Sequence, residues 1–255
     1  MYVATITIIV SQSRSMEDAV GGDPTVFSNT YSTSFDGIND YCDGGDIHNY
    51  DASDAFSISM YINPQNTAAQ RALFSKVTND ASVFGYVLYH NSSGKLFLQM
   101  RASGTLRSFT FNSTLATTTW QHIVFTYDGG QNINGARCYI DATVENTPGS
   151  GSLNGYLASQ AFTLGSRNAG FEFSGMIDEV TVWDKELSSS EVTELYNSGS
   201  VMDPTEHSAA SNLQSHYRMG DGDVFPTIDD RVGTDDLTCT NMVNAETNFV
   251  QDVPT

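Results

Sequence analysis

The chain has 255 residues, enough for one large all-β domain or one domain with appendages. Its 30 acidic residues against 11 basic ones give a formal net charge of −19. That charge repels phosphate and argues against a nucleic-acid partner, while leaving calcium, a basic protein or a neutral glycan open.

The N-terminal run MYVATITIIVSQSRS carries apolar residues with no Lys or Arg ahead of them, and threonines interrupt it. It does not read as a signal peptide, and it is too short to span a bilayer. The alternation from Thr5 to Ile9 predicts a strand. Gly21, Gly22 and Pro24 then break regular structure. Residues 1–30 are therefore predicted to form an arm or linker. Without an export signal, the chain is expected to be kept in a cytoplasm or assembled there into a particle.

Strand signals follow in steady succession. Phe56, Ile58, Met60 and Ile62 fall on one face, with Ser57, Ser59 and Tyr61 on the other. This is the pattern of a sheet with one buried face, and Pro64 ends the strand. Further strands are predicted in 72–77, 84–90, 95–102, 106–112, 120–127, 136–144, 160–166 and 171–183. Turn clusters such as Asn91–Gly94 and Ser103–Gly104 separate them. A succession of short strands with few helices predicts a sandwich or jelly roll. Phe56, Ile58, Met60, Ile123, Phe125 and Ile177 are the predicted core. One helix is marked by Ser188 as N-cap and Glu191 as its capping-box partner. Val192, Leu195 and Tyr196 recur at helical spacing, and Gly199 suits a left-handed C-terminal position.

Ser34–Tyr41 (SFDGINDY) and Phe173–Trp183 (FSGMIDEVTVW) are far apart in sequence, yet they read as matched parts of one sandwich. Trp120–Tyr127 lies between them. Behind them come Trp183, Leu187, Ser188, Glu191, Val192, Leu195, Tyr196, Asn197 and Gly199, in the pattern WxxxLSxxEVxxLYNxG. In these features residues 31–200 resemble the laminin-G-like, concanavalin A-like jelly-roll family. The resemblance implies an all-β, antiparallel sandwich with one short helix. That fold hosts lectins, glycan hydrolases, adhesion modules and structural spacers alike.

Residues 201–255 are predicted to hold a closing strand, Leu213–Met219, and an irregular tail. The phrase YRMGDGDVFPTIDD, residues 217–230, resembles the tail that follows this domain in virion proteins of tailed bacteriophages. That resemblance implies a structural or decoration protein of a phage particle. Such a protein would be made in the host cytoplasm and carried in the virion on capsid or tail proteins, with room for a homo-oligomer. Residues 1–30 would then be its anchor.

Chemistry narrows the reading. Cys42, Cys138 and Cys239 are widely spaced, odd in number and form no CxxC, which excludes zinc ribbons and thioredoxin chemistry. Each is expected to be a small buried hydrophobe rather than half of a disulfide. Glycoside hydrolysis needs two carboxyl groups flanking the scissile bond. The ExDxxE spacing is absent, and neighbours on a strand such as Asp178 and Glu179 point to opposite faces. HExxH, GxSxG and phosphate-binding loops are also absent. His122 is expected to be a hydrogen-bonded structural residue. For a metal, calcium is the candidate ion, held by Asp36, Asn39 and Asp40 in the Asp36–Asp46 stretch, with Asp178 joining if the family topology brings it there. The competing reading makes Asp36 and Asp40 turn formers, with Asp178 bonding backbone amides.

For glycans, Tyr86, Tyr89, His90 and Asn91, and separately Arg167, Asn168 and Phe171, combine aromatic and planar polar groups. Aromatic residues in a β-rich chain are more often core, so no sugar site is assigned. The reading is a non-enzymatic virion module displaying a lectin-like domain. The alternatives are a carbohydrate-binding or adhesion module of a larger bacterial protein, and a glycoside hydrolase.

Overall fold

The computed structural model describes residues 27–77, 85–102, 105–155, 160–167 and 170–255. The predicted strand Thr5–Ile9 and the Gly-Gly-Asp-Pro break lie outside them.

Two antiparallel sheets, each of eight strands among the described residues, face one another. The first contains β1 (Ser32–Asp36), β3 (Phe56–Pro64), β8 (Gln121–Tyr127), β9 (Ala136–Ile140), β10 (Thr143–Val144), β12 (Ser174–Trp183), β13 (Leu213–Tyr217) and β16 (Phe249–Val250). Its order is β10-β9-β8-β3-β12-β1-β16, with β13 also on β12. The second runs β14 (Thr227–Ile228), β15 (Leu237–Thr240), β2 (Tyr41–Asp43), β11 (Thr163–Leu164), β4 (Arg71–Ser75), β5 (Gly85–His90), β6 (Lys95–Ala102) and β7 (Thr105–Thr114). The fold is the sandwich that the strand pattern predicts, in the concanavalin A-like jelly-roll form that the resemblance implies.

The core lies between the sheets. Phe56, Ile58, Met60, Ile123, Phe125 and Ile177 are all buried, as their alternation requires. They meet Phe74, Tyr86, Leu88, Leu98 and Met100 from the opposite sheet.

Alternation alone misjudged the other face of β3. Ser57, Ser59 and Tyr61 were expected to face outward from a sheet with one buried side, yet every residue of β3 is buried. The cover is helix α1 (Ser189–Tyr196) and the chain flanking it. Val192 and Leu195 join Trp183, Leu187 and Leu213 in a second apolar cluster on this outer face. The polar groups beneath are satisfied locally: Ser57 Oγ donates to Lys185 O at 2.7 Å and accepts from Leu187 N at 2.9 Å. Ser188 caps α1 in a full capping box with Glu191. The left-handed residue that closes the helix is Asn197, at φ +46°, two residues before the expected Gly199. Asn tolerates that region through local side-chain bonding, so the glycine is not needed at the first position.

Two corrections concern residues 201–255. The tail is not irregular: beyond β13 it holds β14, β15, a one-turn helix α2 (Ala245–Asn248) and β16, which extend both sheets. Cys42 and Cys239 form a disulfide, opposite one another in the β2–β15 pairing, and only Cys138 is a free buried thiol among the described residues.

A third correction concerns β12. Its long edge pairs with β3 throughout, while its other edge pairs first with β1 and then with β13. A bulge lies at that changeover, between Asp178 and Thr181, and Glu179 there has φ +44°. Ile177, Val180 and Val182 all point into the core. The extra residue therefore turns Asp178 and Glu179 to the same outer side, against the strict alternation expected of a strand. A non-glycine left-handed residue costs roughly 1–3 kcal/mol. The Glu179 carboxylate offsets it by binding His216 Nε2 at 2.5 Å and Arg218 Nε at 3.2 Å.

Candidate functional site

The structure keeps Asp36, Asn39 and Asp40 in one turn and sets Asp178 apart from them on β12. Asp36 Oδ1 accepts from the amides of Ile38 and Asn39, and Asp40 Oδ2 accepts from Asp36 N at 3.0 Å. These are turn-forming bonds. Positive charge at this loop already comes from Arg71, whose Nη1 donates to Gly37 O at 2.9 Å. The Asn39 carbonyl accepts from Asn241 Nδ2 at 2.9 Å. Asp178 stands four residues along β12 from Ser174, the residue that pairs with Asp36. Its carboxyl binds Asn29 Nδ2 and Glu179 N. Burial, with the Glu179 carboxylate beside it, pushes Asp178 well above the usual carboxylate range. Among the described residues, no group of three or more His, Cys, Asp or Glu is placed to hold a metal ion.

The Asp178–Glu179 pair does share a face, but it is closed to solvent: the two residues are 0% and 5% exposed. Glu179 is engaged by His216 and Arg218, and Asp178 by Asn29. The same cluster holds the last residues of the predicted arm. The Arg218 guanidinium lies 4.4 Å from the centre of the Phe27 ring and donates to Ser28 O, and Thr30 N donates to Asp221.

The aromatic stretches favoured by local sequence are largely core. Tyr86, Tyr89 and His90 are fully buried. Asn91 Oδ1 accepts from the amides of Ser93 and Lys95, so it forms the turn. Arg167 donates to Tyr89 OH at 2.7 Å and lies over Phe171, which is 41% exposed. Asn168 lies outside the described residues.

The aromatic and polar groups that sugar recognition needs meet elsewhere, on the outer face of the first sheet. A groove of about 360 Å³ opens where α1 ends. Tyr61 of β3 and His122 of β8 are paired across the two strands, and their rings lie 4.5 Å apart. Tyr196, in the last turn of α1, stacks on His122 at 5.9 Å. Trp120, just before β8, is half-buried and completes the wall. Thr119, Ser198 and Gly199 border the opening, and Pro254 and Thr255 close one side.

One carboxylate enters the groove. Asp141 and Ala142 form the two-residue turn between β9 and β10, with φ +50° and +58°. Positive φ at both central residues is the hairpin turn that matches strand twist, and Asp is among the residues that tolerate it. Asp141 Oδ1 accepts from His122 N at 2.8 Å, which fixes the side chain at the groove wall.

His122 behaves as expected of a structural residue. Its Nε2 is 2.6 Å from Ser59 Oγ, and burial lowers its pKa to about 3, so the ring is neutral. Tyr61 OH donates to Tyr196 O at 3.3 Å. The Tyr196 hydroxyl is raised by burial and then by the Asp141 carboxylate, which keeps it a neutral hydrogen-bonding group. A second depression of about 370 Å³ lies between Tyr31, Phe249, Asp223 and Glu246. Its Asp223 is committed to Arg231 at 2.5 Å and to Gly220 N.

The model of the concanavalin A-like lectin/glucanases superfamily matches residues 36–193, more than half of the chain, and the chain belongs to that superfamily. Among solved structures it is similar to a candidate carbohydrate-binding protein from Bacteroides ovatus. The TM-score is 0.60 at 17% identity, covering 89% of this chain and 61% of that one. It is also similar to the Ruminococcus gnavus sialidase module CBM40 bound to α2,3-sialyllactose, with TM-score 0.49, 12% identity, and 66% and 98% of the two chains covered. A SAP-like pentraxin from Limulus polyphemus gives TM-score 0.45 at 14% identity, covering 66% and 82%. At these identities the likeness is one of fold, and the chain spans 61% of the length of the Bacteroides protein. No curated protein matches the sequence significantly. Among the described residues no helix is long and apolar enough to cross a membrane.

Proposed function

We propose that this chain is a non-catalytic glycan-binding module and that the groove at the end of α1 is its sugar site. The observation that carries the reading is the groove itself. Three aromatic side chains and a neutral imidazole line one opening with a single fixed carboxylate. A sugar ring offers an apolar C–H face to such a wall and hydroxyls to the carboxylate. The volume is in the range of small-ligand sites, roughly 300–1,000 Å³. The name of the Bacteroides protein supports the same class of ligand. The sealed Asp178–Glu179 pair supports a binding rather than a hydrolytic role, since a glycosidic bond cannot reach it.

The module is carried on the particle of a tailed phage, joined to capsid or tail proteins through the chain ahead of Phe27, and it presents the groove to glycans of the host or its surroundings. The tail phrase at residues 217–230 supports this placement. A second reading is a binding or adhesion module of a larger bacterial protein, favoured by the greater length of the Bacteroides protein.

Glycan-array screening of the purified chain, followed by calorimetry on the best ligand, tests the site. Trp120→Ala or Tyr196→Ala is expected to weaken binding about tenfold or more, with the melting transition retained. Binding unchanged in both variants would remove the groove from the reading. Immunogold labelling of purified particles tests the placement, which fails if the protein is absent from them.

A further inference from the structure

We infer that the groove selects uncharged pyranosides and rejects acidic ones, and that Asp141 sets this selectivity. The inference rests on the reading of the groove as a sugar site and goes beyond it to the class of ligand.

Among the described residues, Asp141 is the one charged side chain lining the groove, and no Lys or Arg lines it. Its Oδ1 is fixed by His122 N, so Oδ2 is left to accept from a ligand hydroxyl. The other strong groups are already committed. Trp120 Nε1 donates to Asp252 Oδ1 at 2.8 Å, which sets a second carboxylate beside the opening. Tyr61 OH donates to the Tyr196 carbonyl. His122 is buried and neutral, so it brings no positive charge. The Thr119 hydroxyl donates to Thr117 O at 3.3 Å, which leaves the hydroxyls of Tyr196 and Ser198 as donors to a ligand.

A sugar carboxylate or sulfate bound here would face Asp141 in a partly desolvated space with no cation to compensate. Rejection by an unpaired like charge is a standard route to specificity. A neutral ring meets no such penalty: its hydroxyls donate to Asp141 while its C–H face packs on Trp120 and Tyr196.

The test is affinity electrophoresis of the full chain at about 0.15 M salt, where the Debye length of about 8 Å screens the general field of the acidic surface. The neutral probes are dextran, mannan, galactan and laminarin. The acidic probes are dextran sulfate, polygalacturonate, alginate and polysialic acid. At least one neutral polymer is expected to retard the chain about tenfold more strongly than any acidic one, and Trp120→Ala is expected to abolish the retardation.

Asp141→Asn keeps both the acceptor to His122 N and a residue suited to positive φ. It is expected to weaken neutral binding, because the free acceptor Oδ2 becomes an amide donor, and to narrow the gap between the two sets threefold or more. An acidic polymer binding as well as the best neutral one, with loss on Trp120→Ala, would overturn the selectivity and leave the sugar site standing. A gap unchanged by Asp141→Asn would overturn the assignment to Asp141. No retardation by any polymer, or retardation that survives Trp120→Ala, would overturn the sugar site and the selectivity together.

Discussion

Residues 36–193, which match the superfamily, and residues 194–255, which follow them, build the same sandwich by different means. The first region does so with strands of up to ten residues whose apolar side chains alternate, as in β3 and β8. The second contributes strands of two to five residues, too short to hold register by packing alone. It is fixed instead by specific bonds. Cys239 is joined to Cys42 across 197 residues of chain. Tyr217 OH donates to Asp235 O at 2.8 Å and meets His48 Nε2 at 3.2 Å. Asn248 Nδ2 donates to Ser34 O, and Thr33 Oγ1 donates to Met219 O. The comparison shows that local patterning builds the centre of the fold, while long-range pairings attach its margin. The groove lies where the two meet: Tyr61, Trp120, His122 and Asp141 come from the first region, and Tyr196, Ser198 and the last two residues from the second.

The comparison is tested most strongly by a matched pair of truncations. Phe56→Ala removes a fully buried ring packed on Tyr50, Tyr86 and Phe125, and about 3–5 kcal/mol of stability should be lost in denaturant unfolding. Leu237→Ala in β15 should cost about 2–5 kcal/mol in the same single transition, because Leu237 belongs to the same core cluster. A separate early transition for Leu237→Ala would make the later region an appendage.

Cys239→Ser should lower global stability by about 2–4 kcal/mol, read as a lower melting temperature that reductant no longer changes. Tyr217→Phe should cost about 1 kcal/mol, since the carbonyl of Asp235 loses its donor.

The smallest expected effect falls at the bulge. The folded-state pKa of Asp178 is raised, so ionisation favours unfolding, and the wild type loses stability as pH rises past the ordinary value of 3.8. Asp178→Asn escapes that loss. It should be as stable as wild type below that pH and equal or more stable at pH 7, measured by melting at a series of pH values. A variant that falls progressively behind the wild type as pH rises would show Asp178 to be a stabilising anion.

Legibility in the sequence follows the same division. Core faces and the capping box depend on residues within one or two turns or strands of each other, and alternation at Phe56–Ile62 and the Ser188–Glu191 pair announced them. The disulfide did not show, because lone cysteines far apart carry no pairing information. The bulge at Glu179 lacks the glycine that marks many such sites, so strict alternation placed the two acids on opposite faces. Tyr61 and Ser59 looked solvent-facing because the cover above them comes from α1, more than a hundred residues later.

Aromatic density drew attention to Tyr86–Asn91 and to Arg167–Phe171, but density in sequence does not distinguish core from surface. The groove draws on five separate stretches of chain, and its one local signal was Trp120 in a run of threonines beside the strand that bears His122.

The two tryptophans give the most direct measurement of the central claim, that this seam binds sugar. Trp120 lines the groove, while Trp183 is fully buried beneath α1, with its Nε1 donating to Thr181 Oγ1 at 2.8 Å. Their two indole N–H resonances can be followed in one nitrogen-15 spectrum as a neutral oligosaccharide taken from the best-binding polymer is added. The account predicts a saturable shift of the Trp120 signal with Trp183 unmoved. Saturable binding that leaves the Trp120 signal in place, with shifts gathered instead near Arg167 and Phe171 or between Tyr31 and Phe249, would contradict it.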